Sequence, residues 1–574
     1  MATIMQLIDN TKDEKLYAYS LFGSTLALLF SGLFLLWRKD WSIHRATGLP
    51  IVGIESPGYL GLVKARSNFG ANGFRIVRNA YKKYPRKNFV VTTYGYDKII
   101  LTHEQVKELA SAPDDTINAT HAIVETLLGD YTGLGRFVDA RYIEDVVRIK
   151  LTQNLVIGSK IKKKKTLVPG HLFPSTSKQF YQLSDSALLT KTQPTGNLKE
   201  ALLEEARFAL NTEFPECTTE EWTSVGIFIP ILRMVARVSG RAFVGLPLCR
   251  NEDWLKITIQ FTGDVFTTFS KLSTVSKLLR PLYAYMWNSV KNLTASRKKG
   301  EALLTPILRE RLEEKRLAEK NGAVFQRHND MIEWLSDRVQ PKDRNPEILS
   351  ELLLLVGLAA IHSTSLAFLN ALLDLAQHRE CIQPIREEIE TVLSENNGVF
   401  DREALRKMRK TDSFFKESMR GKVGLFSFNR KVMKNYTLSD GTYLPKGTLV
   451  TAPYSMFSVD PDFIEDPEVF DGFRWYKKSL GTEGGGGPGR IQYWATTSPK
   501  DLNWGHGKHA CPGRFFATEE MKILLAFIIL QYDIKYPEGQ SRPETIRNGE
   551  FTTPDINQKL LFKKLPGPKK FSFL

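Results

Sequence analysis

Two long apolar runs dominate the pattern of the chain. Residues 16–37 (LYAYSLFGSTLALLFSGLFLLW) hold no charged side chain over 22 positions. As a helix this run reaches roughly 33 Å, enough to cross a hydrocarbon core. Tyr17, Tyr19 and Trp37 stand where interfacial aromatics belong. The run is too long for a signal peptide, its leading segment is mixed in charge (Asp9, Lys12, Asp13, Glu14, Lys15), and no small-residue cleavage site follows. An uncleaved anchor is predicted. Arg38, Lys39, His44 and Arg45 come next, so the positive-inside rule leaves residues 1–15 lumenal and the rest cytoplasmic, at the endoplasmic reticulum. The sequons at Asn118, Asn292 and Asn435 are then expected to stay unmodified.

The second run, Pro346–Gln377, is apolar on every side at its centre, but Glu351, His362, Asn370 and Asp374 interrupt it. It is predicted to be the buried central helix of a large domain and not a second span. Residues 38–61 are turn-rich linker, and 62–574 read as one domain. Within it, 88–93 and 98–102 look like strands, 141–155 like a helix with an apolar stripe, 197–319 mostly helical. Residues 436–450 read as a hairpin around Asp440-Gly441, 481–489 as a flexible glycine loop, and 518–531 as a final helix. The predicted class is mainly α with small β-sheets, behind one N-terminal transmembrane helix.

The stretch 158–196 fits no period. It carries seven lysines and one acid, Asp185, and so supplies six of the sixteen excess positive charges. It reads as a solvated loop, as a gene-model artefact such as a retained intron, or as a nuclear-localisation patch. With this segment set aside the charge is ordinary, and no aromatics are interleaved with the lysines, so nucleic-acid binding is not expected. Four well-separated cysteines (Cys217, Cys249, Cys381, Cys511) exclude a disulfide scaffold.

Chemistry concentrates in 504–517, WGHGKHACPGRFFA. Gly505, Gly507 and Gly513 bracket Cys511 and allow sharp turns and a close approach to something flat. Pro512 suits a helix start, and a cysteine at a helix N-terminus is favoured as thiolate. Such a sulfur can be a nucleophile, a zinc ligand, a haem ligand or a buried structural thiol. A phosphatase-type nucleophile lacks its arginine, since Ala517 stands there. Zinc has only His506 and His509 nearby.

The segment resembles the haem-binding loop of the cytochrome P450 superfamily, Phe-x-x-Gly-x-x-x-Cys-x-Gly, in Trp504, Gly507, Cys511 and Gly513. Trp504 replaces the usual Phe. Other motifs follow in the family's order. Glu417-Ser-Met-Arg420, ordinary as a lone helical pair, resembles the family's Glu-x-x-Arg, which joins an arginine matched here by Arg474 of Phe470-Asp-Gly-Phe-Arg474; these three are read as structural. Residues 359–364 (AAIHST) resemble the oxygen-binding groove, with Ala360 as the small residue, Ser363 and Thr364 as hydroxyls and His362 in place of the acid. A histidine can relay protons near neutral pH. Arg430, His509 and Arg148 match the propionate-binding cations.

The resemblance implies the P450 fold and a haem b group held through the Cys511 thiolate. It also implies monooxygenation of an apolar small molecule. Electrons would come from NADPH through a membrane-bound P450 reductase, with cytochrome b5 as a second donor, docking near Lys508 and Arg514. Similar histidine-containing grooves occur in fungal members of terpenoid pathways, so a terpenoid or related polycyclic substrate is expected. A desaturase, isomerase or ring-forming enzyme, or a non-catalytic haem protein, is the alternative.

Overall fold

The computed structural model describes residues 46–155, 198–481 and 491–573, with short gaps at 57–58, 215–216, 218–219, 276, 278, 326, 341–343 and 568–569, plus 23–25, 27 and 31. The expected anchor therefore lies outside the described residues apart from five helical positions, and the lysine-rich stretch and most of the glycine loop lie outside them altogether.

The helices that bear on the site and its surroundings are α1 (Tyr59–Lys83), α2 (Leu198–Glu213), α3 (Phe228–Phe243), α4 (Glu252–Ser273), α5 (Asn288–Lys320), α6 (Pro346–Gln377), α7 (Arg409–Ser418) and α8 (Arg514–Ile529). The start of α6 is written in its sequence. The Asn345 side chain accepts the Ile348 N–H at 2.9 Å, and Pro346 fills the first turn, where no N–H is needed. α6 is the core helix that its apolarity predicted: its leucines are buried among α3, α4, α5 and α8. Among the described residues it is the one helix long and apolar enough to cross a membrane, and its burial accounts for that apolarity. The exception is a patch at its middle, where Ala359 and Ser363 are exposed and Leu358, Ala360, His362 and Leu366 half-buried.

Beside the helices lies a six-stranded sheet of β1 (Ile51–Val52), β2 (Phe89–Thr92), β3 (Asp97–Ile100), β4 (Ile117–Asn118), β5 (Ser427–Val432) and β6 (Leu449–Ala452), ordered β1-β2-β3-β6-β5-β4. One prediction needs revision and another refinement. The expected hairpin over 436–450 closes only as Tyr436–Thr437 against Tyr443–Leu444; β6 instead pairs with β3 and β5, because its four buried residues gain more in the main sheet. The expected helix over 141–155 is present, running without interruption from Tyr142 to Asn154, but it is not α throughout. A short α turn, Tyr142–Asp145, passes into a π-helical turn, Val146–Leu151, which carries Arg148. An extra residue in a turn shifts the side-chain directions that follow it.

Candidate active site

The loop 504–513 is closed by its own backbone, with the Cys511 N–H donating to the Trp504 carbonyl at 2.7 Å. Gly505 and Gly507 adopt φ of +67° and +75°. At Gly507 a side chain is excluded twice over, since a Cβ would lie 2.2 Å from the Ala110 carbonyl oxygen. Gly513 differs. A Cβ there would meet only Val147, at 3.7 Å, an ordinary contact, so the fold of the protein alone does not require this glycine. The Trp504 indole donates to the Trp494 carbonyl at 3.0 Å, and Trp494 in turn stacks on Phe415. This fixes the loop against the core.

Cys511 stands just before α8, as its sequence suggested, but the helix end does not set its acidity. Burial pushes the thiol pKa up and outweighs the pull of the Gly513 and Arg514 N–H groups and of the Arg514 charge. Within the protein alone the sulfur keeps its proton, and a metal cation must displace it. Zinc finds no partners: among the described residues no group of three or more His, Cys, Asp or Glu side chains converges. His506 is engaged by Thr497 at 3.0 Å and His509 by Asp114 at 2.8 Å.

Two arginines and a histidine meet this loop. Arg430 is 3% exposed, its guanidinium 3.9 Å over the Phe428 ring, donating to the Asn429 carbonyl at 2.9 Å and the His506 carbonyl at 3.3 Å. No carboxylate among the described residues pairs with it, and burial drags its pKa down to about 9. A buried, uncompensated guanidinium calls for an anion. Its direction is set by a β-bulge between Ser427 and Arg430, with Phe428 at φ +60°. Arg148 reaches the Lys508 carbonyl at 3.4 Å and lies 3.8 Å from Glu144. His509 is tied to Asp114, which also takes Lys508 at 3.0 Å and Arg141 at 3.3 Å. Nothing in the sequence singles out Asp114, which reads as one residue of a Pro-Asp-Asp turn.

Glu417, 2% exposed, lies between two guanidiniums, with Arg420 at 2.9 and 3.1 Å and Arg474 at 3.2 and 3.3 Å. Further donors of the two arginines hold the carbonyls of Ser458 (2.8 Å) and Val469 (2.6 Å). On α6, Ala359, Ala360, His362 and Ser363 share the open patch, whereas Thr364 is buried in the core. The Ser363 hydroxyl donates back to the Ala359 carbonyl at 2.8 Å. His362 Nδ1 is buried without a hydrogen-bond partner, and burial lowers the ring pKa to about 4. The imidazole is thus neutral at physiological pH, and any relay through it runs on the neutral ring. Ala360 and Trp504 both pack against the main hydrophobic core. Arg514, near which a partner is expected to dock, donates to the carbonyls of Cys511 (2.8 Å) and Ala495 (3.2 Å).

The residues present suit an anionic, metal-centred group: a cysteine sulfur in a glycine-built loop that can ligate a metal, and a buried Arg430 without an ion pair that can take an anion.

The family model described as Cytochrome P450 matches residues 170–562. Cytochrome P450 monooxygenase AN1598 of Emericella nidulans is 34% identical over 497 residues, covering 86% of this chain and 84% of that protein. Ent-kaurene oxidase P450-4 of Gibberella fujikuroi is 27% identical, covering 92% and 96%. The solved structure of a retinoic acid-bound cyanobacterial CYP120A1 superposes with a TM-score of 0.58 at 18% identity, over 87% of this chain and 96% of that one, a likeness of fold.

Proposed function

The chain belongs to the cytochrome P450 family, and on that premise we propose that it hydroxylates or otherwise oxidises an apolar polycyclic molecule of terpenoid type in fungal secondary metabolism. It is a monooxygenase by family, with a haem held through a cysteine thiolate and electrons derived from NADPH. When bound, that haem supplies the activation of O₂ and the oxidation of unactivated C–H bonds.

The chain's own residues take the remaining tasks. Cys511 would give up its proton to ligate the iron, while Arg430, with His509 and Arg148 beside it, would hold the propionates. On α6 the alanines at 359 and 360 keep the groove narrow-walled and apolar. Ser363 Oγ and the neutral His362 ring are the groups placed to hold and pass protons. The observation that carries the reading is the open patch around Ala359, Ala360 and Ser363 on a helix whose residues are otherwise mostly buried between Leu349 and Ala376.

For the substrate, support comes from the aliphatic character of α6 and from the relative named as an ent-kaurene oxidase. For a membrane location at the endoplasmic reticulum, support comes from residues 16–37 and from a surface patch. Around the short helix Arg280–Met286, Leu279, Leu282, Tyr285 and Met286 are exposed, and Lys277 and Lys291 lie over Tyr96 and Tyr285. Apolar and aromatic residues mixed with lysines suit a lipid interface. NADPH–P450 reductase is the proposed electron donor.

The test is expression in a reductase-bearing yeast fed with candidate diterpenes. A reduced, CO-bound absorption band near the thiolate position together with a product heavier by one oxygen supports the reading. A product of unchanged or lower mass points to isomerisation or desaturation, and absence of the band rejects thiolate ligation.

A further inference from the structure

α3, α4 and α5 each turn side chains spaced three and four residues apart toward one surface cleft of about 550 Å³, within the range of small-molecule sites. Its apolar lining is aliphatic. Leu232 and Ile257 are buried in it, and Ile229 is 58% exposed, high for an isoleucine. No aromatic ring and no carboxylate contributes to the wall, but three cations do: Arg233, Lys256 and Lys299. Arg233 is neutralised by Glu213 at 2.7 Å and Glu252 at 2.9 Å. Lys256 and Lys299 make no ion pair among the described residues. The nearby acid Asp264 is held by the amides of Gln260 (3.3 Å) and Asn292 (3.4 Å), which also line the cleft.

An aliphatic floor beside two uncompensated ammonium groups selects an anion with a hydrocarbon chain. The absence of aromatic stacking partners disfavours a nucleotide. We propose that this cleft binds a long-chain carboxylate, its chain on Ile229, Leu232 and Ile257 and its head between Lys256 and Lys299. The proposal is independent of the oxidase reading.

Calorimetry with the purified haem-loaded protein tests it, using palmitate below its micellar concentration as probe. Hexadecanol serves as the uncharged arm and phosphatidylserine vesicles as the lipid arm. Palmitate is expected to bind one site, more tightly than hexadecanol. The double variant Lys256→Ala/Lys299→Ala should weaken it about tenfold, as two exposed charge contacts would. Ile229→Asp should weaken it further. The CO-bound spectrum should not change in either variant, which separates this result from failure to fold or to hold haem. Equal binding by wild type and the lysine variant would overturn the proposal. So would equal affinity for the alcohol, complete displacement by a haem-ligating azole, or binding to vesicles alone.

Discussion

The guanidinium of Arg430 sits 3.9 Å over the ring of Phe428, two residues earlier on the same strand, because the strand bulges between them. This arrangement holds a positive charge in the core whose direct contacts are carbonyl oxygens and an aromatic face, with Glu144 and Asp114 acting on it without forming an ion pair. Its removal has opposite signs in the two states of the protein. Arg430→Leu is expected to leave the haem-free protein as stable or more so, since a buried unpaired charge disappears. It should weaken haem retention by about 2–3 kcal/mol, the worth of a charge-assisted bond in the interior. Haem content after dialysis, set against thermal denaturation of the apoprotein, separates the two. A haem-loaded protein that loses nothing rejects the anion-binding role.

The loop glycines make a graded prediction. Gly505→Ala meets only a left-handed φ, its Cβ 3.6 Å from the nearest atom, and should cost about 1–2 kcal/mol. Gly507→Ala carries the same strain plus a collision with the Ala110 backbone, and should abolish haem incorporation. Equal haem yields from the two variants would contradict the geometry.

Glu417→Ala leaves Arg420 and Arg474 facing each other with no acid between them. Breaking a buried pair in this way costs about 3–5 kcal/mol. The expected result is a large fall in Tm or an insoluble product, whereas Lys434→Ala at an exposed pair should leave Tm where it is.

His362 makes the stability of the fold depend on pH. Its folded pKa, about 4, lies below the ordinary 6.5, so the unfolded chain takes up the proton first as pH falls. Stability from this ring is complete above pH 6.5 and is lost between 6.5 and 4, by about 3 kcal/mol at the low end. Burial also lowers the pKa of His103, His121, His506 and His509, so the wild-type slope is shared. Denaturation of His362→Gln across this window should show a shallower slope than wild type by that amount. The turnover of wild type should show no inflection from His362 between pH 6 and 8.

Topology can be read from two of the three sequons. Asn118 is buried and caps a helix by accepting the His121 N–H at 2.9 Å, so it reports nothing in the folded chain. Asn292 and Asn435 are exposed. With the domain on the cytoplasmic side, endoglycosidase treatment of microsomes should shift neither mass; a shift at Asn292 would place the domain in the lumen.

What the sequence disclosed follows from the range of the forces involved. The limits of α6 were legible because Asn345 and Pro346 act locally and the uniform leucine content needs burial whatever the partner. The glycine spacing about Cys511 was legible for the same reason, since φ preference belongs to one residue. The division of 436–450 between two sheets, the π-helical turn at Arg148 and the tie from Asp114 to His509 depend on segments hundreds of residues apart. No local pattern encodes them. The neutrality of His362 is of this kind too, for it comes from the helices packed around α6.

Asp114 has a consequence in time. It draws His509, Lys508 and Arg141 together, while Ala110 and Arg430 seat the same loop, so the cysteine segment takes its shape from chain made much earlier in translation. Those earlier parts wait for a strap that leaves the ribosome near the end of synthesis. Capture of the prosthetic group is therefore among the last events in the birth of this protein, and a chain truncated before residue 504 has nowhere to put it.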